Sequence, residues 1–145
     1  MKPVVTWILL ANTRQVSVMV NRGPGKGLAQ LNGKSLTSQE ADLPRDKAGV
    51  SHSIGGPGVS AVEQADPQHK IDAAFAKSVA QWLSKERAAK EFDRLIVVAG
   101  PHMLGLLRAA LSSDVQAVLI AEIAKDLSGQ SVEAVTSHID DFIAA

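Results

Sequence analysis

Two apolar runs constrain this chain most: VVTWILLA from Val4 to Ala11 and LIVVA from Leu95 to Ala99. Neither alternates with polar residues, as a strand with one wet face would. A strand that is apolar on both sides needs cover on both sides, so the runs predict a sheet sandwiched between helices. The first run is broken only by Thr6 and leads into Asn12-Thr13-Arg14, a plausible tight turn. Beyond it Val16, Val18 and Val20 alternate with Gln15, Ser17 and Met19, the period of a half-buried strand. RGPGKG (Arg22 to Gly27) is turn chemistry, and LAQLNGKSLT after it reads as a third strand or hairpin arm. These segments predict an antiparallel meander.

The second half of the chain changes period. Asp66 suits a helix N-cap, and Pro67 suits the first helical position, where its missing N–H costs nothing. Ile71, Phe75, Val79, Trp82 and Leu83 then recur at helical spacing, predicting a helix to about Glu91. The buried run of Leu95 to Ala99 follows, then a helix with Leu104, Leu107 and Leu111 in its stripe. Val115 to Ile123 fits helix almost as well as strand, and its β-branched residues favour strand. A last helix is predicted from about Ser131, with Glu133 in its first turn, burying Val132, Val135, Ile139, Phe142 and Ile143. The expected fold is therefore α/β, in the ribonuclease-H-like order β-β-β-α-β-α-β-α. It should form one domain over residues 1–145, a five-stranded mixed sheet with helices on both faces. A Gly/Pro/Ser-rich loop at about 38–66 interrupts it, and loops of that length inside a domain are usually functional.

Charge and composition exclude several functions. Fifteen Lys and Arg balance fifteen Asp and Glu, so the whole molecule has no bias toward nucleic acid or membrane. The distribution is uneven. Residues 1–60 carry seven basic groups against three acidic ones, whereas residues 113–145 carry one against six. The absence of cysteine removes disulfides, thiolate metal sites and a thiol nucleophile. Aromatic residues, only 3% of the chain, argue against a base-stacking platform. No small-residue cleavage pattern follows the first apolar run, and no run approaches the roughly 20 residues that span a bilayer, so a soluble cytoplasmic protein is expected.

Chemical motifs are sparse. Two-metal nucleases of this fold order place carboxylates on the first strand and at the end of the fourth; here the first strand has none and the fourth ends Ala99-Gly100-Pro101. Gly33-Lys34-Ser35 resembles the end of a phosphate-binding loop, but five residues separate Gly27 from Gly33 where four are needed. His52, His69, His102 and His138 show no metal-ligand spacing. No metal and no cofactor are expected. His102, directly after Gly100-Pro101, opens a helix whose backbone N–H groups could hold an anion.

Several phrases, in order, carry a family resemblance: WILLANTRQVSVM, the Gly-Gly loop leading to DPQHKIDAAFAKSVAQWL, FDRLIVVAGPHMLGLLRAAL and AEIAKDLS. The chain resembles the bacterial family described as proteins required for attachment to host cells. That family is in turn similar to the middle domain of archaeal and eukaryotic peptide-chain release factors, whose Gly-Gly-Gln loop sits between the meander and the first long helix. The resemblance matches Gly55 and Gly56 to the two glycines, with Pro57 in place of glutamine and Gly58 following. Proline has neither a side-chain amide nor a backbone N–H, so hydrolase activity is not carried over. The expectation is a non-catalytic cytoplasmic module that binds RNA or the ribosome. Gly55–Gly58 would make backbone contacts, and Arg14, Arg22, Lys26, Lys34, Arg45 and Lys47 would contact phosphates. The alternatives are a protein–protein interaction factor acting indirectly in attachment, and a peptidyl-tRNA or ester hydrolase.

Overall fold

A computed structural model describes residues 3–38 and 67–143. The first apolar run forms β1 (Thr6–Ala11), and the alternating segment forms β2 (Gln15–Asn21), paired antiparallel from Thr6↔Asn21 to Ala11↔Val16. Asn12 makes the turn between them. Its Oδ1 accepts from the Arg14 and Gln15 N–H groups at 2.8 Å each, and its own N–H donates to the Gln15 carbonyl. The third arm is split into β3 (Ala29–Gln30) and β4 (Leu36–Thr37), both paired with β2 along its outer edge. A turn separates them, with Gly33 at φ +86°, a left-handed conformation that glycine enters without steric cost.

Helix α1 (Pro67–Ala88) returns the chain to β5 (Arg94–Ala99), which lies parallel to β1 in a register running from Thr6↔Arg94 to Ala11↔Ala99. Helices α2 (Pro101–Ala110) and α3 (Ser113–Gln116) lead to β6 (Leu119–Ile123), parallel to β5, and α4 (Val132–Ile139) closes the described chain. The strand order is β3-β2-β1-β5-β6, with β4 beside β2. The result is a mixed open sheet whose element order is consistent with the ribonuclease-H-like one.

Period-two alternation sorts the strands into two cores. Trp7, Leu9, Ala11, Leu95, Val97 and Ala99 pack with Phe75, Val79 and Leu83 of α1 and with Met103, Leu104 and Leu107 of α2. On the other face Ile8, Leu10, Met19, Ile96 and Val98 pack against Val135 and Ile139 of α4 and the following Ile143. Two successive crossovers that step the same way across the sheet place α1 and α2 on one face. Trp7 stacks on Phe92 and Trp82, at centroid distances of 4.8 and 5.7 Å, fixing the end of α1 over the start of β1.

Two expectations from the sequence are corrected. Val115 to Ile123 is not one strand: its first two residues belong to α3, where Val115 is buried as a helical side chain and Gln116 Nε2 donates to the Leu111 carbonyl. Phe142 is 46% exposed, because α4 ends at Ile139 and the turn after it points Ile143 inward instead.

Candidate functional site

The strand register divides the basic residues between the two ends of the sheet. Arg14 is exposed on the β1–β2 turn, at the end where β1 and β5 finish, and its carbonyl accepts the Ser38 N–H at 2.7 Å. Arg22 and Lys26 are exposed on the loop after β2, at the opposite end. The seven residues of β2 separate these positions by roughly 20 Å.

The Arg22–Lys26 loop is shaped from inside. Asn21 is 1% exposed; its Oδ1 accepts from the Gly23 N–H and its Nδ2 donates to the Gly27 carbonyl at 3.0 Å. The Lys26 N–H closes on the Gly23 carbonyl, and Gly25 and Gly27 take left-handed conformations. One buried amide thus fixes the loop that carries two exposed cations. Lys34 differs from them. Its Nζ bonds Glu86 Oε1 of α1 at 2.8 Å, and that hydrogen bond, reinforced by the charges of Glu86 and Glu91, raises its pKa above the ordinary lysine value. Arg45, Lys47, Gly55, Gly56, Pro57 and Gly58 lie outside the described residues.

A second group of side chains gathers where α1 and α2 begin. Asp72 of α1 is 4% exposed although it carries a carboxylate. Gln68 Nε2 donates to its Oδ1 at 2.8 Å, and its Oδ2 lies 3.0 Å from His102 Nε2 of α2. A carboxylate oxygen accepts, so His102 Nε2 is the donor in this contact. The His102 side chain is 53% exposed. The ring of His69, exposed on the first turn of α1, has its centroid 5.8 Å from that of His102 and is tilted by 51°. Helix α2 has no acid in its own first turn, and α1 brings the Asp72 carboxylate beside it.

Sequence reading placed His102 at the start of a helix but missed the role of its side chain. The clue was at Asp72, which shares the helical stripe of Phe75, Ala76, Val79, Ala80 and Leu83. A charged residue in a core stripe requires a buried partner. Among the described residues no group of three or more His, Asp or Glu is placed to hold a metal ion. None of the described helices is long and apolar enough to cross a membrane.

Comparison with known proteins adds the following. A stretch of 72 residues is 39% identical to the uncharacterized protein RP470 of Rickettsia prowazekii (strain Madrid E), covering 48% of this chain and 46% of that protein. The match thus spans about half the length of that relative. Among solved structures, the chain is similar to the archaeal translation termination factor aRF1, with a TM-score of 0.49 and 16% identity over 91% of this chain and 33% of that one. It is also similar to a structure described as an archaeal protein, with a TM-score of 0.47 and 12% identity over 94% of this chain and 39% of the other. The pattern of the family described as "Protein required for attachment to host cells" matches residues 7–139, and this chain belongs to that family.

Proposed function

We propose that the protein is a cytoplasmic module that binds structured RNA or the ribosome through phosphate contacts. The observation carrying this reading is the loop after β2, where buried Asn21 fixes a turn that presents Arg22 and Lys26 to solvent. A fixed turn loses little conformational freedom on binding, so its cations are better suited to phosphate than the same residues on a floppy chain. Arg14 adds a third exposed cation at the other end of β2. In this reading Arg45, Lys47 and the Gly55–Gly58 stretch contribute further contacts, and Lys34 contributes least because Glu86 holds it.

Co-sedimentation with ribosomes tests the proposal. Wild type is expected in the ribosomal fraction at low salt, and Arg22→Glu/Lys26→Glu is expected largely in the supernatant. Wild type that stays in the supernatant at every salt concentration overturns it.

A second reading, a protein-interaction factor acting indirectly in host attachment, has its own observation. Among the described residues β6 pairs only with β5, and Ile120 on it is 40% exposed. An open edge strand with an apolar side chain is a template for strand addition by a partner. Under this reading, pulldown from extract recovers a protein partner after ribonuclease treatment, and Ile120→Lys abolishes the recovery.

A further inference from the structure

We propose that the outer face of α1 is a docking surface for the phosphate backbone of double-stranded RNA. This rests on the RNA-binding reading and adds to it a surface and the form of RNA that the surface takes. At about 100° per residue, Lys70, Lys77 and Lys85 fall within an arc of roughly 80°, on the side opposite the buried stripe of Phe75, Val79 and Leu83. All three are exposed, and the helical rise sets them roughly 10 and 12 Å apart along the axis.

The helix does not compensate these charges itself. Its two acids are turned away and engaged: Asp72 is buried with Gln68 and His102, and Glu86 holds Lys34 of the β3–β4 turn at 2.8 Å. The Arg87 guanidinium donates to the Phe92 carbonyl. What remains outward is a row of lysines separated by exposed Ala74, Ser78 and Gln81, which are neutral. Among the described residues none of the three lysines makes an ion pair. The row also joins what the sheet separates. Helix α1 begins at the end that carries Arg14, where Asp72 meets His102 just beyond β5. It finishes over the start of β1, where Trp82 stacks on Trp7, at the end that carries Arg22 and Lys26. From Lys70 to Lys85 the row covers about 22 Å between those two groups of cations.

The form of the partner follows from the row's rigidity and chemistry. Ammonium groups act as point charges that take phosphate oxygens without reading bases. Carried on a helix, they keep a straight, fixed spacing, which a duplex backbone meets already ordered and a single strand meets only by losing conformational freedom. Single-strand recognition uses rings that stack on bases, and the row holds none. Nor does the row carry a large apolar side chain to enter a membrane interface.

The test is binding of labelled RNA, as a blunt duplex and as oligouridylate of equal length, by wild type and by Lys70→Gln/Lys77→Gln/Lys85→Gln. Glutamine keeps the helix propensity of lysine, and circular dichroism with urea denaturation checks that the variant is folded. Wild type is expected to bind the duplex more tightly than oligouridylate. The triple variant should lose about tenfold or more in duplex affinity, with a salt slope shallower by roughly 0.9 per lost contact. Wild-type duplex affinity and slope in the triple variant, tighter binding of oligouridylate by wild type, or binding of phosphatidylserine vesicles in place of RNA overturns the proposal. Arg22→Glu/Lys26→Glu, measured alongside, separates the two claims. If it alone weakens duplex binding, only this inference fails, whereas wild type that binds no RNA sinks the reading beneath it as well.

Discussion

A carboxylate at a core position is stable only while its oxygens are engaged, and both oxygens of Asp72 are. His102→Ala leaves Oδ2 without its partner in a buried site, and urea denaturation is expected to show a loss of about 1–3 kcal/mol. His102→Gln, retaining a donor, should lose less. Thr6 is the converse case. Its Oγ1 is buried, has no partner among the described residues, and shares a face with Ile8 and Leu10. Thr6→Val swaps an unsatisfied hydroxyl for a methyl of the same shape, so the melting temperature should stay level or rise. For Lys34 the sign follows from its raised pKa: the contact with Glu86 stabilises the fold from neutrality up to the ordinary lysine value and is lost as pH climbs through the raised one. The melting difference between wild type and Lys34→Met should therefore be constant near neutrality and close in strongly alkaline buffer.

Among the elements, the loop after β2 joins sequence, packing and proposed function most tightly. Asn21→Ala removes the acceptor for the Gly23 N–H and the donor to the Gly27 carbonyl from a buried position. A stability loss of about 1–3 kcal/mol is expected by denaturation, accompanied by weaker RNA binding although no cation has changed. What was legible here depended on how far each segment's pattern was set by its own residues. The two apolar runs became the central strands β1 and β5, since only a strand covered on both sides accommodates them. The stripe from Ile71 to Leu83 gave α1. Leu28 to Thr37 was harder, because Gly33 lets the chain turn off the sheet between two short pairings with β2. Val115 to Ile123 misled because both periods fit it, and burial of Val115, as a residue of α3, in the core shared with α1 and α2 decided the matter. The inward turn of Ile143 depends on where α4 stops, which its apolar spacing alone does not fix.

At the scale of the molecule, the order of elements was readable and their convergence was not. The sequence supplied Arg14, Arg22, Lys26 and Lys34 as one basic set, but the register of β2 sends Arg14 to one end and Arg22 and Lys26 to the other, and α1 claims Lys34. Asp72 and His102 lie thirty positions apart and meet because α1 and α2 begin at the same end of the sheet. No local pattern encodes that meeting; it comes from two crossovers packing side by side. The central claim is that the exposed cations bind RNA phosphates, and it is tested most directly by the salt dependence of affinity for a structured RNA. The logarithm of the affinity should fall linearly with the logarithm of salt concentration, and Arg22→Glu/Lys26→Glu should make the slope shallower by roughly 0.7–0.9 per lost phosphate contact. A slope near zero, or one unchanged by the double substitution, would contradict it.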